Sequence, residues 1–180
     1  MGEIVLSNKI SALLENRLDD FHMPRYNELP SIEVYMDQLL TLIELALSPL
    51  YGDNSTKWVT TSMINNYIKQ GVIKKTHSKR YDKEHIASLI YVFAVKNVMA
   101  ISDIQTLFAL QQQTYPMERA YNYFCREFEA ALKAVFKGEE MPSDSASEKG
   151  EESFILRFSA VAAAHQIFLN EYLKEFRKEN

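Results

Sequence analysis

The sequence predicts a mainly α protein. A short amide-rich helix, a basic β-hairpin and two longer helices are followed by a C-terminal helical hairpin. Three observations carry this reading. Apolar residues recur at helical spacing through most of the 180 residues. Between Lys74 and Arg80 the helical period is lost and the chain turns basic, as a tight two-stranded wing would. Residues 138–151 are polar and separate two stretches with aromatic residues every three or four positions, which reads as two helices joined by a mobile loop. The chain divides on this basis into an N-terminal helix and linker (1–24), a central unit (25–112) and a C-terminal helical pair (113–180).

In chain order, Ser7–Phe21 places Ile10, Leu13, Leu14, Leu18 and Phe21 on one helical face. Pro24 and Pro30 make the following segment a linker. Ser31 can cap the next helix, with Glu33 in its first turn, apolar positions at Val34, Leu39, Leu42, Ile43 and Ala46, and an end before Pro49. Gly52, Asp53, Asn54 and Ser55 form a turn-prone connection, and Trp58 beyond it is expected in the core. Over Ser62–Gln70, a wheel with a step of about 100° per residue puts Met63, Ile64, Tyr67 and Ile68 on one side and Ser62, Asn65, Asn66, Lys69 and Gln70 on the other. Gly71 supplies the left-handed stop.

Asp82 caps a helix running to about Asn97 that is apolar on nearly every side, as a spine buried among neighbours would be. Ser102-Asp-Ile-Gln105 has the form of a capping box for the next helix. Pro116 suits the first turn of the one after it, whose seam is Tyr121, Phe124, Phe128, Ala131 and Val135. The last helix carries Phe154, Phe158, Val161, His165, Phe168 and Tyr172 at the same spacing, with His165 expected as a hydrogen-bonded core residue. Such aromatic seams form a hairpin, a dimer interface, or both. Phe154, Phe158, Val161, Phe168 and Tyr172 are the candidate dimerisation residues.

The net charge of −4 argues against nucleic acid, but its distribution does not. Between Ser55 and His85 stand seven basic residues (Lys57, Lys69, Lys74, Lys75, Lys79, Arg80, Lys83) against Asp82 and Glu84, a local +5, so the remainder is strongly acidic. A polar helix face beside a cationic cluster is what contact with phosphates and base edges requires. Taken alone, the lysine-rich run reads equally well as a solvated loop.

The run M-I-N-N-Y-I-K-Q-G-V-I resembles the second helix of MerR-type winged helix-turn-helix proteins, usually T-L-R-x-Y-E-x-x-G-L-I, with Ile64, Tyr67, Lys69, Gly71, Val72 and Ile73 at matching places. R-Y-D-K-E-H-I is similar to that family's exit from the wing, and A-I-S-D-I-Q-T-L to its next helix. P-S-I-E-V-Y-M-D-Q-L-L, T-S-M-I-N-N-Y-I-K and R-Y-D-K-E-H-I together resemble more closely an uncharacterised bacterial family, domain of unknown function 1836. The resemblance implies a DNA-binding fold. Asn65 stands where the MerR family has its phosphate-gripping arginine, and the glycine and arginines of a longer wing are replaced by Lys74, Lys75, His77 and Lys79.

Nothing in the sequence supports an enzyme or a cofactor. The four histidines are scattered, the five glycines form no phosphate loop, and Cys125 is alone. No signal peptide or membrane span is read, so a cytoplasmic protein is expected. The reading is a MerR-like transcriptional regulator that binds double-stranded DNA as a homodimer. Its DNA contacts would be Ser62, Asn65, Asn66, Lys69, Gln70, Lys74, Lys75, Lys79 and Arg80. Two alternatives stand beside it: a protein-interaction module on the same fold, and a small-molecule sensor in which the C-terminal helices bind an effector.

Overall fold

The computed structural model describes residues 18, 20–51 and 58–179. The expected helix Ser7–Phe21, the turn Gly52–Ser55 and Lys57 lie outside these residues, apart from the end of that helix. Among the described residues there are six α-helices: α1 (Met36–Tyr51), α2 (Thr61–Lys69), α3 (Lys83–Val95), α4 (Ile101–Thr114), α5 (Met117–Lys137) and α6 (Glu151–Glu179), preceded by one 3-10 turn, Tyr26–Glu28.

Helix α3 is the spine, with every residue from His85 to Val95 buried. Asp82 caps it by accepting the His85 N–H at 3.0 Å. Helix α1 packs on α3, and Tyr51 at its end donates to the Phe93 carbonyl (2.7 Å). Tyr91 meets Phe124 of α5 edge to face at 4.6 Å and bonds Ser159 of α6 at 3.1 Å. A single buried apolar cluster therefore runs from Met23 to Ile167. The 22–29 segment is clasped to α5: Glu129 accepts the Met23 N–H (2.7 Å) and both arms of the Arg25 guanidinium.

The structure contains no strand or sheet among the described residues, which overturns the β-hairpin wing and with it the winged fold. In its place is one reverse turn. Ser78 (φ 54°) and Lys79 (φ 57°) are both left-handed, and the Arg80 N–H donates to the His77 carbonyl at 3.1 Å. The ladder goes no further because the next residue is already engaged. Tyr81 exchanges both backbone hydrogen bonds with Val34, each 2.9 Å, so the chain after the turn is paired to residue 34 and not to the chain before it. A two-residue turn of this hand ordinarily uses Asn-Gly; Ser-Lys adopts it here at some cost in backbone strain.

The C-terminal helices are not a hairpin either. Contacts along α5 and α6 advance together: Tyr123 with Ser153, Glu127 with Arg157, Phe136 with Phe168. The two helices run parallel. Residues 138–150 retrace α5 in between, with Pro142 beside Arg157, Asp144 beside Tyr123, and Glu148 beside Arg119 and Tyr115. Extended chain covers about 3.3 Å per residue against about 1.5 Å in a helix, so this stretch can return along the whole 21-residue α5. The expected mobile loop is thus a strap tied down at several points. Buried Glu127 pairs with Arg157 and accepts the Ser145 N–H (3.1 Å).

Three helix starts also differ from expectation. Helix α1 begins at Met36, not after Ser31, because Val34 belongs to the Tyr81 bridge; it continues through Pro49, whose position in the last turn is exposed. Helix α4 begins at Ile101 with Ala100 as its cap, so the Ser102–Gln105 capping box does not form. Gln105 reaches instead to the Gln70 carbonyl at the end of α2. Pro116 is the residue before α5, not within its first turn.

Candidate nucleic-acid interface

Helix α2 is short for a local reason at each end. Thr60 caps it by accepting the Met63 N–H (3.2 Å). At the other end Gly71 turns left-handed (φ 76°), and the Tyr67 carbonyl accepts both Val72 (2.9 Å) and Ile73 (3.3 Å). Val72 and Ile73 are buried, which anchors the exit from the helix. Ile64 and Tyr67 face inward, and Tyr67 meets Phe93 edge to face. Trp58 packs beside them, stacked on Tyr51 at 4.5 Å and edge-on to Phe93.

The wheel separates the faces as expected. Ser62, Asn65, Asn66, Lys69 and Gln70 are all exposed. Among the described residues no side-chain hydrogen bond or ion pair engages any of the five. Among those residues, this face has no internal duty.

The basic run after Gly71 is less uniform than its sequence suggests. Lys74 lies between two carboxylates, 2.9 Å from Asp82 and 2.7 Å from Glu84. Arg80 sits over the Tyr35 ring at 5.4 Å and 3.9 Å from Glu33. Lys75 and Lys79 are exposed and, among the described residues, without an ion pair. Of the cations expected at phosphates, Lys69, Lys75 and Lys79 are thus free to take one; Lys74 and Arg80 are already partnered. Burial alone would raise the Asp82 carboxyl, but the Lys74 ammonium and the His85 backbone and ring nitrogens outweigh it and hold it at about 2. His85, itself buried, ties this cap back to the Lys74 carbonyl through Nε2 (3.2 Å).

The dimerisation candidates divide. Helix α6 turns Leu156, Ala160, Ala163, Ala164 and Ile167 inward. Its aromatic stripe points largely the other way, with Phe154 60 % and Phe158 56 % exposed and in mutual contact at 4.3 Å. Val161, Phe168 and Tyr172 are half-buried, Phe168 against Phe136. Leu169, Leu173 and Phe176 continue the exposed stripe and were not expected there. His165, expected in the core, is exposed, with Nδ1 2.8 Å from the Val161 carbonyl.

Sequence reasoning missed a second feature altogether. The strap, the start of α5 and the first turns of α6 enclose a cavity lined by Tyr115, Arg119, Tyr123, Arg126 and Glu152 among others. No spacing rule connects these residues, because a thirty-residue separation between parallel helices has no sequence signature.

Burial raises the Cys125 thiol to about 12, a shift that its neighbour Arg25 only moderates. No helix among the described residues is long and apolar enough to cross a membrane. No curated protein and no solved structure matches the chain. A family model described as a domain of unknown function, DUF1836, matches residues 24–124, more than half of the sequence, and the chain belongs to that family.

Proposed function

We propose that the protein is a cytoplasmic, MerR-like DNA-binding regulator that inserts the polar face of α2 into the major groove. One observation carries the reading. Ile64 and Tyr67 fix the helix to the spine, while Ser62, Asn65, Asn66, Lys69 and Gln70 present amides, a hydroxyl and a cation with no side-chain partner among the described residues. Asn and Gln pair bidentately with adenine N6 and N7, and lysine meets phosphate or guanine. The likeness of the Ile64–Ile73 run to the MerR recognition helix supports the same use. No wing takes part. Lys75, ahead of the left-handed turn, and Lys79 on it supply backbone contacts instead, and Lys69 supplies a third.

A single nine-residue helix reads few base pairs, so operator recognition calls for two copies. The aromatic stripe of α6 supports a two-fold dimer, since a helix face with residues at three-and-four spacing can pack on its own copy. An exposed Phe154–Phe158 pair is otherwise costly to leave in water.

The pairing of Lys74 with Asp82 and Glu84 favours a second reading, a protein-interaction module. It removes one cation from the phosphate footprint. Binding of the wild-type dimer to duplex DNA across a salt series separates the two. The DNA reading expects affinity to fall as salt rises, with a slope set by about three contacts at ~0.9 each.

A further inference from the structure

We propose that the cavity between the start of α5, the returning strap and the first turns of α6 is a binding site for a free α-amino acid. It would be held by its ammonium on Glu152 and by its carboxylate on Arg126. This site is independent of α2 and of the DNA reading.

The cavity measures about 160 Å³. That is below the range of about 300–1,000 Å³ typical of drug-sized ligands, and it limits the occupant to a compound of amino-acid size. Its charged groups sort into one internal pair and two singles. Arg119 is taken: its guanidinium binds Glu148 at 3.0 Å and lies over the Tyr115 ring at 4.1 Å. Glu152 is only 5 % exposed, yet among the described residues no donor reaches its carboxylate. Arg126, exposed at the rim, has no carboxylate partner among them either.

A carboxylate on a residue this little exposed, with no donor among the described residues, is one that proteins rarely keep without a use. Placement in the first turn of α6 does not explain it. The favourable interaction with the helix N-terminus is available to Glu151, which stands in the same turn and is exposed. What its position adds is a carboxylate among the residues that line the cavity, and a charge-assisted hydrogen bond is how an ammonium is held strongly. One unpartnered anion on the wall and one unpartnered cation at the rim match the two charges of a zwitterion. Ala120 and Leu156 offer an apolar surface for its side chain, and Tyr115 and Tyr123 line the same space. Tyr123 is fixed there because its hydroxyl donates to Asp144 of the strap (2.9 Å).

The test is a thermal-shift screen of the full-length protein with each standard L-amino acid, followed by calorimetric titration of any that raises Tm. Methylamine and the N-acetyl form of the same amino acid serve as controls. The proposal expects at least one amino acid to bind. It expects Glu152→Gln and Arg126→Gln each to weaken that binding about tenfold or more, the loss of one charge-assisted pair. Arg126→Gln is a surface change, so it keeps the test valid should Glu152→Gln disturb folding. N-acetylation, which removes the ammonium, should abolish binding. No binding by any amino acid would overturn the proposal. So would unchanged affinity in the Arg126→Gln protein, or methylamine binding as well as the amino acid.

Discussion

Tyr67 meets Phe93 edge to face, with ring centroids 5.7 Å apart and planes at 80°. Through this contact the spine helix α3 sets the position of α2. Tyr67→Ala should therefore cost roughly 3–5 kcal/mol, as other buried aromatic truncations do. Asn65→Ala and Asn66→Ala, on the opposite face, should change stability by no more than about 0.5 kcal/mol. Chemical denaturation of the three variants checks the contrast.

The turn gives a way to separate stability from DNA affinity. Lys79 sits at φ 57°, where glycine is at ease and lysine is strained. Lys79→Gly should raise stability by up to about 1 kcal/mol, while removing one phosphate contact and lowering the salt slope by about 0.9. Lys75→Ala should lower the slope by a similar amount without the gain in stability. Lys74→Ala should change the slope less than either, because its ammonium is held by Asp82 and Glu84.

The Asp82 cap sets an acid limit. Its folded-state pKa of about 2 lies below the ordinary 3.8, so its charge stabilises the fold fully above about pH 4–5, and that contribution disappears as pH falls towards 2. Asp82→Asn keeps a good N-cap and removes only the charge. The stability difference between wild type and Asp82→Asn should be constant near neutrality and shrink to nothing at the acid end. Asp82 is partly exposed, so the difference is modest. Urea titrations across pH 2–7 measure it.

Oligomeric state is tested best at Phe158, which is exposed within the protomer, and not at Phe168, which packs on Phe136. Phe158→Asp should leave the protomer folded and convert dimers to monomers in sedimentation. A wild-type protein that remains monomeric at micromolar concentrations would remove the dimer from the account.

What was legible in the sequence were faces, and what was not were directions and pairings. The wheel over Ser62–Gln70 identified the exposed and buried sides of α2, since Ile64 and Tyr67 recur at the helical period. The all-round apolar run after Asp82 marked the spine. Periodicity says nothing of whether two helices run parallel. The return path is fixed by Glu127 meeting Arg157 and Ser145, contacts that no local pattern announces. On α6 the large residues mislead: the inner face is centred on the small stripe of Ala160, Ala163 and Ala164, which lets α6 approach its neighbours closely, while Phe154 and Phe158 lie outside. The basic run reads as a wing because it loses helical period, but Tyr81 has its partner in Val34, far back in the chain.

The central claim is that α2 reads DNA, and selection of bound duplexes from a random pool, at low salt with the wild-type protein, tests it most directly. The account predicts an enriched motif with two half-sites. It also predicts that preference at one or two positions relaxes in Asn65→Ala or Asn66→Ala, at about 1–3 kcal/mol per lost bidentate contact. No enriched motif, or a motif unchanged by both substitutions, would contradict it.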